Sequence, residues 1–296
     1  MLSPFGDSWQ KYVLCMAKDN KSLFHYTDLN AILGMVRQNG IHFRATQFSK
    51  LNDSHEFKWI YDDIKEELAK EAKLSLEEFT QLYEHFAYII SLSKMEDDFW
   101  MWALYGKQGY GIMLELDFSV LQEEADKDNH RGYWVNDNPP DGFDILLEEK
   151  YAEEKDKRQA LDSVVCDMIK ALGKDFDGEE SWLKKIYASA FVKRQVWSKE
   201  GEVRYVRFRT KDCYVQYAGK NACDFKTAED VHEVSYRARG TDVIPFLEVA
   251  FTPKALRRIF IGNRLGKKVK DDIQRVLDTY GDKYKHVKIK QSKCIF

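Results

Sequence analysis

The sequence has no Cys-x-x-Cys pair and no Cys/His cluster at metal-ligand spacing, so a zinc centre is not expected. Its five cysteines, Cys15, Cys166, Cys213, Cys223 and Cys294, are scattered and odd in number, which fits reduced thiols in a cytoplasmic protein. No apolar run approaches the roughly 20 residues that span a bilayer. The opening Met1-Leu2-Ser3-Pro4-Phe5-Gly6 lacks the basic region and apolar stretch of a secretory signal. A soluble cytoplasmic protein without a membrane partner is therefore expected. Charge of one sign is lacking too: 46 Lys and Arg face 49 Asp and Glu, for a net charge of −3. That balance argues against a dedicated nucleic-acid binder, and the basic stretch from Lys254 to Lys270 reads as a solvated helix end. Neither GxxxxGK[ST], nor GxGxxG after a strand, nor GxSxG, nor HExxH occurs. Repeats and low-complexity linkers are absent as well.

What is present is ample core material: 44% hydrophobic and 14% aromatic residues in 296. One domain over 1–296 is expected, with a core at about 22–290 and a long exposed loop at about 126–142, where Asp, Asn, Pro and Gly concentrate. Ser22–Thr27 reads as a strand, and Asp28 caps a helix over Leu29–Gln38 that Gly40 ends. Ile41–Arg44 is a strand, His55–Lys73 a long amphipathic helix, and Ser75–His85 a helix with a Ser75/Glu78 capping box. Strand Tyr88–Ser93, helix Asp97–Tyr105 and strand Ile112–Leu116 follow, then helices over Glu153–Leu172 and Glu179–Phe191. Strands are expected at Glu202–Phe208, Cys213–Tyr217, Glu233–Ala238, Val243–Ala250, Ile259–Gly262 and His286–Ile289, with a helix at Asp271–Tyr280. The irregular order of strands and helices favours an α+β fold.

Four places can carry chemistry. In Ser22–Thr27, alternation puts Leu23, His25 and Thr27 on one side and Phe24 and Tyr26 on the other. His25 stands at a strand end before a capped helix, where ligands often meet side chains; a structural histidine is the equal alternative. Asn52-Asp53-Ser54-His55-Glu56 is explained by N-capping of the next helix. Trp100, Trp102 and Tyr105 share one short helix, with core packing as the default and a stacking wall as the second reading. Glu200, Glu202 and Arg204 face one way in extended backbone. Two close carboxylates suit acid–base or cation-stabilising chemistry. On spacing alone, a surface strand with a Glu202–Arg204 ion pair of little energetic worth is the simpler reading.

The order of these pieces resembles a mostly prokaryotic family, domain of unknown function 2971. The similar segments are Leu23-Phe24-His25-Tyr26-Thr27, Leu51-Asn52-Asp53 with Glu56, Ser91-Leu92-Ser93, and Trp102-x-x-Tyr105. They continue with Gly109 to Leu116, Trp197-x-x-Glu200-x-Glu202-x-Arg204 and Ile259-Phe260-Ile261-Gly262. More distantly, an early His strand, a helix just after it, a middle Ser or Tyr and a late Glu-x-Glu strand resemble the ADP-ribosyltransferase layout. That resemblance implies a split, mainly antiparallel sheet with flanking helices, and NAD as substrate. It implies that His25, with Tyr26 and Thr27 beside it, anchors the adenosine ribose, and that Ser93 or Tyr105 holds the middle position. Trp102 or Tyr105 would wall the nicotinamide. Glu202 would be the catalytic carboxylate, and Glu200 would orient or deprotonate the acceptor, whether protein, nucleic acid or small molecule. The chain departs from that layout in its middle motif, which is neither a Tyr on a strand nor Ser-Thr-Ser. A toxin or anti-phage defence effector is the role such chemistry implies. Two further readings stay open: a non-catalytic nucleotide- or partner-binding module of a defence system, and a hydrolase using Glu200, Glu202 and Asp53 with a divalent metal.

Overall fold

A computed structural model describes residues 22–132, 143–209 and 234–296. Strand β1 (Ser22–Thr27) ends at Asp28, whose carboxylate accepts the Ala31 amide at 2.7 Å and starts helix α1 (Leu29–Met35). This helix stops three residues short of the expected Gln38. Val36–Arg37 instead forms a short strand, β2, hairpinned with β3 (Gly40–Gln47). The carbonyls of Val36 and Arg37 accept the hydroxyls of Tyr280 and Tyr284 at 3.1 and 2.8 Å, partners 244 and 247 residues distant. Helices α2 (Ser54–Glu71) and α3 (Leu76–His85) follow, and both arms of the Ser75/Glu78 capping box are formed. Strand β4 (Ala87–Ser93) leads to helix α4 (Phe99–Leu104), capped by Asp98.

After β5 (Ile112–Asp117), helix α5 runs over Phe118–Gly132. This corrects the first part of the loop expected at 126–142. Asp117 caps the helix through the Ser119 amide, and Phe118, Leu121 and Ala125 bury its inner face, which together override the turn-forming composition. The remainder of that loop, 133–142, and the strand expected at Cys213–Tyr217 lie outside the described residues. The chain continues through β6 (Phe143–Glu148), β7 (Lys150–Ala152), α6 (Lys157–Leu172), α7 (Lys174–Asp177), α8 (Ser181–Ser189), β8 (Val192–Arg194) and β9 (Glu202–Phe208). It closes with β10 (Val234–Arg239), β11 (Asp242–Phe251), β12 (Leu256–Ile261), α9 (Lys268–Asp278) and β13 (Lys288–Gln291).

These elements make the expected α+β fold, with a large and mostly antiparallel sheet ordered β10-β11-β3-β4-β1-β5-β12-β13; β6 and β9 join it through β4. Among the described residues only β12–β13 and the separate β7–β8 pair run parallel. One edge of β4 is fully occupied by β9, from Ala87↔Phe208 to Ser93↔Glu202. The other edge is shared. β3 takes Thr46↔Ile89 and Gln47↔Tyr88, whereas β1 meets β4 at Phe24↔Ser93. Between those registers β1 and β3 diverge, and the sheet forks. Helices α2, α3, α6 and α8 cover one face, over a core that includes Phe48, Tyr83, Tyr187 and Phe208. The opposite core holds Leu23, Ile41, Leu114, Ile259 and Leu277. Trp102 anchors a third cluster with Phe24, Tyr26 and Met113. Among the described residues no helix is long and apolar enough to cross a membrane.

Candidate active site

The fork opens into a cavity of about 790 Å³, lined from β1, β3, β4, β8, β9 and β10. His25 sits where β1 leaves β4. Its Nδ1 donates to the Ser91 carbonyl at 3.0 Å, a main-chain acceptor on the stretch of β4 edge between the two registers. Its ring stands edge-on against Phe43 of β3 at 5.2 Å. Burial, assisted by the positive charge of Arg237 and opposed by the bond to Ser91, holds the imidazole pKa below its ordinary value. A neutral ring that donates from Nδ1 leaves Nε2 as an acceptor.

The floor belongs to a buried network of four carboxylates and two cations, of which Glu149 alone stands behind the cavity lining, against Arg204. Glu56, Glu149, Lys193, Glu200, Glu202 and Arg204 are each 6% exposed or less. β8 supplies Lys193 and β9 supplies Glu202 and Arg204. Glu200 ends a 3-10 turn over Gln195–Glu200, and Gly201 then adopts φ +51°, a left-handed conformation that glycine reaches without strain. Lys193 Nζ donates to Glu200 and Glu202 at 2.7 Å each and lies 3.5 Å from Glu56. Arg204 donates to Glu202 at 3.0 Å, to the Ala190 carbonyl at 2.7 Å and to Glu56. Glu149 lies 2.5 Å from Arg204 Nε but off the axis of a hydrogen bond, so neither of its oxygens is satisfied.

Burial works against the charge of Glu202, yet Arg204 and Lys193 outweigh it and hold the carboxyl well below the usual range. Burial also opposes the Lys193 charge, and Glu202, Glu149 and Glu56 overcome it, so the ammonium persists. For Glu149 burial prevails over Arg204 and pushes the carboxyl well up, making it the member that takes a proton first as pH falls.

Tyr105 donates its hydroxyl to Glu200 at 2.5 Å, and burial followed by the Glu200 charge keeps the phenol protonated. Ser93 donates to the Glu200 carbonyl at 2.6 Å and accepts the Met95 amide at 3.0 Å. Its hydroxyl thus ties β4 to the Glu200 turn. Tyr26 is similarly engaged, donating to the Met95 carbonyl at 2.7 Å and accepting the Asp98 amide at 3.1 Å. Trp197 forms part of the wall with its indole N–H buried and without a partner among the described residues, and Lys193 lies 5.8 Å from its ring centre.

The structure therefore brings His25, Tyr26, Thr27, Ser93, Tyr105, Glu200 and Glu202 to one cavity. It does not bring Trp102 there. That side chain is fully buried, donates to Asp97 at 2.8 Å and meets Tyr26 edge-on at 5.2 Å. Asp53 also reaches the cavity lining. Among the described residues no group of three or more His, Cys, Asp or Glu side chains is arranged to hold a metal. The Glu200–Glu202 pair is buried, unlike the surface strand that spacing alone favours.

Sequence reading passed over Lys193, Glu149 and a group of arginines on the opposite wall. β3 and β11 pair Arg44 with Glu248 and Thr46 with Phe246, while β10 and β11 pair Ser235 with Phe246 and Arg237 with Ile244. Strand alternation therefore places Arg44, Arg237 and Arg239 on one face. Arg44 lies 5.1 Å above the Phe246 ring. Arg237 donates to Thr46 at 3.0 Å with its Nε buried and unpartnered, and Arg239 donates to Asn52 at 2.7 Å and to the Lys50 carbonyl at 2.9 Å. The alternation of Arg237 and Arg239 was a legible sign of a common face.

Fold and site together define a mixed α+β protein with a cavity at a forked antiparallel sheet, floored by a buried carboxylate–cation network. Residues 101–205 match the profile of a family described as protein of unknown function (DUF2971). The matched segment carries Tyr105, Glu149, Lys193, Glu200, Glu202 and Arg204, most of the floor, whereas β1, β3 and β10 lie outside it. No curated protein and no solved structure matches the chain.

Proposed function

We propose that this cavity binds NAD and cleaves its nicotinamide–ribose bond, passing ADP-ribose to an acceptor. The observation that carries the reading is the meeting of His25, Tyr105, Glu200 and Glu202 in one space of about 790 Å³, within the range of small-molecule sites. Heterolysis of the bond between C1′ and the nicotinamide nitrogen leaves the electron pair on neutral nicotinamide and a cation on the ribose. A carboxylate held ionised, as Glu202 is, stabilises that charge electrostatically. The acceptor's lone pair then bonds to C1′, and its proton passes to Glu200, which Tyr105 and Lys193 orient. His25 Nε2, free to accept, suits a ribose hydroxyl. Protein, nucleic acid and small molecules are all acceptable acceptors, water giving free ADP-ribose.

The test is nicotinamide release from NAD in the presence of cell lysate, comparing wild type with Glu202→Gln and Glu200→Gln variants whose melting shows them folded. Release by wild type that falls at least about a hundredfold in Glu202→Gln is expected. Release that is undetectable in wild type, or equal in the variants, sinks the reading. A second reading, a nucleotide-binding module without turnover, is favoured by one observation: both oxygens of Glu202 already engage Lys193 and Arg204. Thermal stabilisation by NAD without product would support it.

A further inference from the structure

Three guanidinium groups line one end of the cavity, and among the described residues no carboxylate comes within ion-pair distance of any of them. Elsewhere the cavity's arginines are paired: Arg204 holds Glu56 and Glu202, and Arg37 makes a two-pronged contact with Glu248 at 2.8 Å. Glu248 is the cross-strand neighbour of Arg44, but its carboxylate goes to Arg37 and to His42, at 2.9 Å. Arg44, Arg237 and Arg239 are left with an aromatic face, a hydroxyl, an amide oxygen and main-chain carbonyls, all neutral. Burial, and then the charges of Arg44 and Arg239, disfavour the charged form of Arg237. A folded chain carries such mutual repulsion at a cost unless an anion relieves it.

From this we infer that Arg44, Arg237 and Arg239 form a subsite for the diphosphate of a nucleotide diphosphate. Guanidinium forks pair with phosphate oxygens two at a time, and Arg237 Nε is a buried donor with no partner among the described residues. The carboxylates of the floor repel phosphate, so only one end of the cavity accepts it. A ligand with a diphosphate at the arginine end and a cationic ring toward Glu200 and Glu202 matches both ends. The choice of a dinucleotide rests on the transferase reading, while the diphosphate subsite itself does not.

The experiment titrates the full-length protein calorimetrically with ADP-ribose and with adenosine, for wild type and for Arg237→Gln and Arg237→Lys. Arg237 stands on β10, which among the described residues pairs only with β11, and its side chain bonds Thr46 of β3, so melting without ligand is measured beside each titration to show the variants folded. ADP-ribose is expected to bind wild type, adenosine to bind at least about tenfold more weakly, and Arg237→Gln to lose about tenfold for ADP-ribose while leaving adenosine unchanged. Arg237→Lys should recover part of that loss. Without ligand, Arg237→Gln should melt at the same temperature as wild type or higher, because a like-charge contact is relieved. Equal affinity for ADP-ribose and adenosine, no binding by wild type, or wild-type affinity in Arg237→Gln overturns the subsite. Nicotinamide release with unaltered ADP-ribose affinity in Arg237→Gln would remove the subsite and keep the transferase. Arginine-dependent ADP-ribose binding without nicotinamide release would do the reverse.

Discussion

The floor of the cavity and its arginine wall are both dense in charge, and they are built on opposite terms. On the floor, Lys193 and Arg204 are surrounded by Glu56, Glu149, Glu200 and Glu202, and every carboxylate lies within ion-pair distance of a cation, although Glu149 accepts no hydrogen bond. On the wall, Arg44, Arg237 and Arg239 have, among the described residues, neutral partners only. A network closed on itself holds the shape of the protein, and removing a member exposes the rest. A cluster of one sign stabilises nothing until something arrives. Buried ionic networks are poor evidence of net stability but are costly to break from one side. The contrast therefore turns on what deletion does, more than on how many contacts each region makes.

The most severe way to break the floor is Arg204→Met, which strands Glu56 and Glu202 in the core. A loss of about 3–5 kcal/mol in chemical denaturation is expected; a loss under about 1 kcal/mol would show that the network is dispensable. Next comes Tyr105→Phe, which removes one hydroxyl donor from Glu200 and should cost about 1.5 kcal/mol by the same measurement. The smallest effect sharpens the comparison within the floor itself. Glu149 has a folded-state pKa above its unfolded value, so the stability it contributes is present below the unfolded value and is lost as pH rises through the folded one. Glu149→Gln should therefore leave stability toward chemical denaturation within about 1 kcal/mol of wild type at acidic pH, where the carboxyl is protonated, and flatten the decline that wild type shows as pH rises above the ordinary carboxylate range. A steeper decline with rising pH in the variant would show that Glu149 works as a charged partner of Arg204.

Local chemistry was readable from the sequence where the cause was local. The capping box at Ser75 and Glu78, the Asp28 cap and strand Glu202–Phe208 all form as expected, because each is decided by neighbours within a few residues. α1 ends early because Tyr280 and Tyr284 claim carbonyls from across the molecule, which no local signal announces. Ser93 looked like a ligand group, and its hydroxyl is spent on the Glu200 turn, 107 residues on. Alternation could say that Arg237 and Arg239 share a face. It could not say that β11 brings that face beside Arg44, nor that β8 sets Lys193 between Glu200 and Glu202.

The fork has a mechanical meaning as well. The wing β10-β11-β3 and the wing β1-β5-β12-β13 share no backbone ladder, and each is stitched to β4 separately. What crosses the seam is side chain: the core that packs Leu23 and Leu114 with Ile41 and Val249, the His25 ring on Phe43, and the tyrosine hydroxyls of the C-terminal region on Val36 and Arg37. Side-chain contacts yield more readily than ladders. Each wing is thus held by main-chain ladders and the line between them by side-chain packing alone, and that line runs through the cavity.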